Sequence, residues 1–261
     1  MHRAPSSALP RSGGTMIRPL VAVLLLASTP AAAQDAPPDL SGFWGPVFDF
    51  GEPAPDMLAK LPPDTVLVED TGVVEFPRGE YGGLELTEEA LARAESWQPE
   101  DEFALERVCL PPSIIYALQG PFPFEIHQTD ELIVIRNEYF DQVRLVFMDG
   151  REAPEGYPHS KMGFSTGHWE GDELVIETSH IAVSTITNNG LDHSDQVRMI
   201  ERYRVDETTG RLVATQWFSD PRMLANNGAR WIEWELREGE HVYPYECDPS
   251  FALEYSASAP E

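Results

Sequence analysis

From Phe122 onward, apolar and polar residues alternate in short bursts. "FPFEIHQ", "ELIVIRNEY", "QVRLVFM", "GFSTGHW", "ELVIETSH", "QVRMIERYR", "RLVATQWFS", "RWIEWEL" and "HVYPYEC" are each seven to nine residues long and rich in β-branched and aromatic side chains. Turn words separate them: "TD", "FD", "MDGRE", "EGD", "DETTG" and "REGE". This spacing predicts nine strands joined as an antiparallel meander. So long a meander has two bare edges, and closure into a barrel removes them. The upstream pattern is less regular. "DLSGFWGPVFDF" predicts a short first strand, "EPAPDMLAKLPPD" a Pro-rich surface loop, and "TVLVED" and "GVVEF" two further short strands. "TEEALARAESW" predicts one short helix before the meander, with Thr87 as cap, Glu88 and Glu89 in the first turn and Pro99 as stop. The expected fold is all-β, a single barrel domain over residues 34–261.

The alternation also sorts polar residues by face. In "GHWEGDELVIET", Trp169 ends a strand, Glu170-Gly171-Asp172 makes the turn and Leu174 enters the next strand, so the carboxylates belong to a corner. In "QVRMIERYR", Val197, Met199, Glu201 and Tyr203 share one face, and Arg198, Ile200, Arg202 and Arg204 the other. Glu201 therefore sits in an apolar row. In "FPFEIHQ", Glu125 and His127 lie opposite Phe124 and Ile126. A carboxylate inside a barrel either has its pKa raised, which suits an acid or base, or pairs with an arginine such as Arg144 or Arg202.

The N-terminus changes where the protein is expected to work. "MIRPLVAVLLLASTPAAA", Met16 to Ala33, has an Arg, an apolar run and small residues, the order of a secretory signal peptide cleaved after Ala33, with Met16 as the true start. The apolar run Leu20–Ala27 is too short for a membrane span, and no later run is long enough. A periplasmic or secreted chain with no integral membrane segment after cleavage is expected. There, Cys109 and Cys247, the only two cysteines, are expected to form a disulfide. The chain holds 44 acidic against 18 basic residues, a formal net charge of −26. Removal of residues 1–33 takes away three arginines and no acid, so nucleic acid and anionic membranes are poor partners and no nucleic acid is expected.

No HExxH or HxH spacing occurs among the histidines, and no Walker loop or GxGxxG is present. No metal site and no cofactor is therefore expected. "NNGLDHSDQ", Asn188–Gln196, predicts a polar loop leading into the strand of Glu201 and places His193 beside carboxylates, the surroundings of a proton shuttle.

The words "CLPP", "PFPFEI", "FMDGRE", "STGHWEGDELVIET", "HSDQ" and "ERYR" stand in an order that resembles a broad, mostly uncharacterised group of exported bacterial proteins. The resemblance spans Cys109 to Cys247. It implies a shared fold and marks Glu125, Glu138, Arg144, Asp149, Arg151, Trp169, His193, Ser194, Glu201 and Arg202; His127 lies outside its words. "SGFW", Ser41–Trp44, puts a GxW word at the start of the first strand, as in lipocalin-like (calycin) barrels, although the helix precedes the meander here.

A lipocalin-like barrel implies an internal cavity for a small apolar or aromatic molecule. Tyr203, Tyr139, Trp217 and Arg144 are expected to line it. Two functions fit. One is a cofactor-independent enzyme of lyase, isomerase or cyclase type, with Glu201 or Glu125 as acid/base, His193 as second proton-transfer group and Arg151 or Arg144 stabilising an anion. The other is a non-catalytic carrier or scavenger of an apolar compound. Convergence of Glu125, Glu201, His193 and Arg151 on one water-accessible cavity separates them.

Overall fold

The structure is a computed structural model of the chain; it describes residues 1, 36–69, 76–98, 100, 104, 105, 107–250, 252 and 253. The segment Met16–Ala33 lies outside the described residues, as does the "GVVEF" strand apart from Phe76. Pro37–Glu261 form one compact unit.

The described residues form twelve strands: β1 (Gly42–Pro46), β2 (Thr65–Leu67), β3 (Phe124–Gln128), β4 (Leu132–Asn137), β5 (Val143–Phe147), β6 (Phe164–Glu170), β7 (Glu173–Ser179), β8 (Ser184–Thr187), β9 (Leu191–His193), β10 (Arg198–Val205), β11 (Leu212–Ser219) and β12 (Asn227–Leu236). Nine of them close a barrel in the order β1-β3-β4-β5-β6-β7-β10-β11-β12, with β12 returning to β1 through Trp44↔Leu236 and Pro46↔Trp234. β2 adds to the other end of β12 in parallel, and β8–β9 form a separate hairpin. The helices are short: α1 (Pro55–Leu58), α2 (Glu88–Ser96) and α3 (Ile114–Ala117). Thr87 caps α2, its side chain accepting from the Ala90 amide. The corner after Trp169 is a tight hairpin in which Gly171 takes φ +68°.

Two features depart from the expected meander. β5 and β6 run parallel, with Val146↔Ser165 and Phe147↔Thr166, so the barrel is mixed. Parallel neighbours need a long crossover, and residues 148–163 supply it. "MDGRE" opens that crossover and does not close a hairpin; Asp149 accepts from the Arg151 amide at 3.2 Å in a local turn. Second, "HVYPYEC" is no strand. Pro244 has no N–H to give a ladder, and the amides of Tyr243 and Tyr245 donate to the side chains of Glu138 and Asp141. The segment is a strap along the outer wall, tied down by the Cys109–Cys247 disulfide. β1 takes the strand's place in the barrel.

The inward rows are buried and carry most of the apolar core: Phe124, Ile126, Ile133, Ile176, Met199, Phe218 and Trp234 among others. Each such side chain contributes roughly 1.5–3 kcal/mol when fully buried. α3 and β8 plug the interior. Arg230 and Gln216, fully buried on inward rows, donate to the carbonyls of Ile115, Ile186 and Ile114 at 3.1, 2.6 and 3.1 Å. These bonds satisfy backbone carbonyls of the plug. A smaller apolar layer, Met57 of α1 with Val213 and Trp231, covers part of the outer wall.

Candidate functional site

The residues singled out by their sequence context fall in separate places. Glu201 and Arg144 are inside the barrel, at most 1% exposed, and form an ion pair. Arg144 also donates to Ser165 Oγ at 3.0 Å and Thr178 Oγ1 at 2.6 Å, and the Tyr203 hydroxyl donates to Glu201 Oε1 at 2.6 Å. Burial, and after it the Glu201 charge, raises the Tyr203 phenol well above its ordinary value, so the hydroxyl keeps its proton and stays a donor. Five inward side chains from β5, β6, β7 and β10 thus bond to one another, with Arg144 Nη1 lacking a hydrogen bond among the described residues, in a network walled by Ile135 and Ile176.

His193 is at the plug. Its Nδ1 is 2.8 Å from the Ser194 carbonyl, and its Nε2 is 2.7 Å from Ser113 Oγ at the start of α3. The carbonyl only accepts, so Nδ1 carries the proton and the Ser113 hydroxyl donates to Nε2. Asp220 accepts from the Ser194 amide at 2.5 Å and the Ser194 hydroxyl at 2.9 Å. All four side chains are buried, and they tie α3, β9 and the turn after β11 together. Burial pushes the His193 pKa down from 6.5 to about 4. The unfolded chain therefore binds a proton first as pH falls. Stability tied to His193 is complete above about pH 6.5 and declines toward pH 4, by roughly 3 kcal/mol at most. Urea unfolding at several pH values is expected to show this decline in the parent and to show it flattened in His193→Gln; identical slopes would contradict it.

Glu125 faces outward beneath the strap. Its oxygens are 3.0 Å from His241 Nδ1 and 3.2 Å from Arg136 Nη1, with His127 Nε2 at 3.8 Å. A cleft of about 400 Å³ lies beside it, but both carboxylate oxygens are engaged in holding the strap. Tyr139 stacks on Phe122 at 4.3 Å and meets Tyr245 edge-on, an aromatic clasp for the same strap.

Arg151 and Trp217 do share a site. A groove of about 710 Å³ lies on the outer wall across β6, β7, β10 and β11, under the start of the crossover. The strand register makes its floor: Thr166, Glu177, Ile200 and Trp217 form one cross-strand row. Phe164, Ser179 and Arg198 line it beside that row. Trp217 is fixed by a 3.1 Å bond from its indole nitrogen to Thr65 Oγ1. Arg151 pairs with Asp149 and lies over the Phe147 ring at 4.3 Å. A second lobe of about 390 Å³, with His159, Asp195 and Gln196, shares Ser179, His180 and Arg198 with the first. His180 has φ +56°, a strained conformation for a non-glycine residue, and its Nδ1 is 2.9 Å from Ser179 Oγ. Gly163 lets the crossover pass against this corner: a Cβ there would meet the Ser179 carbonyl oxygen at 2.5 Å.

Ser113, Asp220, Glu177, Ser179, His180 and Arg198 were not among the residues expected at a site. The outward row containing Arg198 is legible from alternation, but its junction with Glu177 depends on register between strands far apart in sequence. Among the described residues no three His, Cys, Asp or Glu side chains gather to hold a metal ion, and no helix is long and apolar enough to cross a membrane. No family model, curated protein or solved structure matches this chain.

Proposed function

We propose that the protein is an exported carrier or scavenger that binds a small molecule with an apolar or aromatic body in the groove on its outer wall. The observation that carries this reading is the pairing of an apolar floor, the aromatic Trp217 and Phe164 with Ile200, with a groove of about 710 Å³, a volume in the usual range for small-molecule sites. The inward residues that a lipocalin-like ligand would need to touch are occupied with one another or with the plug. The acid–base reading requires Glu201, Glu125, His193 and Arg151 in one water-accessible cavity. They stand in the barrel interior, under the strap, at the plug and at the groove rim, so the binding reading is preferred. Export remains part of the proposal on the strength of Met16–Ala33.

The test is a calorimetric titration with 2-naphthoate, an aromatic body carrying one charge. Binding to the parent is expected, with affinity about tenfold lower in Trp217→Ala, the loss of one aromatic contact. No binding to the parent, or equal binding to the variant, would sink the assignment.

A further inference from the structure

With 44 acidic and 18 basic residues, the chain offers a carboxylate to a basic side chain almost anywhere. Among the described residues every lysine and arginine except Arg198 has an interaction partner. Arg198 is exposed and stands where the two lobes of the groove meet. Its neighbour across the strand boundary is Glu177, also exposed and with no hydrogen bond or ion pair among the described residues. Ile200 pairs with Glu177 in the register, and Arg198 is two residues before Ile200 on the same outward row. That places the two residues' backbone positions on a diagonal of about 7–8 Å. They face one groove and do not close on each other.

Resting on the groove being a ligand site, we infer that its ligand is a zwitterion: an α-amino acid, or a molecule of that chemistry, with an apolar or aromatic side chain. The carboxylate lies on Arg198, with Ser179 and His180 beside it. The ammonium lies on Glu177, and the side chain lies on Ile200 and Trp217. The alternatives each leave a charge badly placed. A simple anion meets Glu177 and Glu152 in the same groove, and a simple cation meets Arg198 and Arg151. A neutral apolar molecule strips water from Arg198 and Glu177 without replacing it. A zwitterion engages both, and charge-assisted bonds of this kind are the strong ones.

The experiment is calorimetry on the whole protein with three probes of one shape: L-phenylalanine, 3-phenylpropanoate and 2-phenylethylamine. The parent is expected to bind L-phenylalanine about tenfold or more tightly than either analogue. Glu177→Gln is expected to bring L-phenylalanine down to the level of 3-phenylpropanoate, and Arg198→Gln to bring it down to that of 2-phenylethylamine. Both changes are on the surface, and both variants are expected to melt with the parent. If the three probes bind the parent within twofold of one another, or if each variant weakens all three alike, the zwitterion assignment is overturned while the groove reading stands. If 2-naphthoate fails to bind the parent, or binds Trp217→Ala equally well, the groove reading falls and takes this inference with it.

Discussion

Glu201→Gln is expected to melt about 10 °C below the parent while leaving ligand binding in the groove unchanged. Glutamine keeps the shape of glutamate and removes its charge. Arg144, 1% exposed, then keeps a guanidinium inside the barrel with neutral acceptors only, the hydroxyls of Ser165 and Thr178 and the amide oxygen of the new glutamine. Its Nη1 has no hydrogen-bond partner even in the parent, so the site has no spare acceptor to offer. Breaking a buried pair from one side costs about 3–5 kcal/mol, and each 1 kcal/mol lowers the melting point by about 2–4 °C in a domain of this size. The pair need not be stabilising as a whole, because two charges lost their water to form it. Arg144→Met combined with Glu201→Leu is therefore expected to recover most of the loss. The check is thermal unfolding of the parent, the single variant and the double variant. A single variant that melts within a degree of the parent would show that the interior network is not bonded as described.

Removing the disulfide, as Cys109→Ser with Cys247→Ser, is expected to cost up to about 5 kcal/mol. The bridge closes a loop of sequence separation 138, and on the chain-entropy relation so long a loop restrains the unfolded chain by about that amount. The folded state contributes as well. The strap between β12 and Cys247 is held by His241 on Glu125, by two backbone amides on Glu138 and Asp141, and by Tyr245 against Phe122 and Tyr139. These contacts are few and lie near the surface, so the strap is expected to open locally once untied, with the barrel intact. Urea unfolding measures the first effect. Hydrogen exchange measures the second: faster exchange confined to the strap supports this account, and faster exchange throughout β3 and β4 contradicts it.

Most barrel strands were legible from alternation alone, because a half-buried strand must place its apolar residues every second position. The Cys pair, the Thr87 cap and the Gly171 corner were legible for equally local reasons. What escaped depends on partners distant in the chain. "MDGRE" contains a real turn, yet whether the following strand runs back or crosses over is decided sixteen residues later. "HVYPYEC" has strand composition, but its amides meet carboxylates on the wall it crosses. α3 and the β8–β9 hairpin are short, and their role as a plug comes from Arg230 and Gln216 on other strands. The site shows the same division. Polar residues in apolar rows, such as Glu201, mark the interior correctly, and there the interior closes on itself. Arg198 and Glu177 are ordinary outward residues in a one-dimensional reading. They stand out only once the register sets them on one groove and the pairing of the other basic residues leaves Arg198 without a partner among the described residues.

The claim that the ligand lies on the outer wall is tested most directly by mapping 2-naphthoate binding through backbone and indole amide NMR shifts. The account predicts shifts at the Trp217 indole, at Glu177, Arg198 and Ile200, and along Gly150–Ala153, with the indoles of Trp234 and Trp44 unmoved. Shifts concentrated at Trp234, Trp44 and Tyr203, with Trp217 silent, would put the ligand inside the barrel and contradict it.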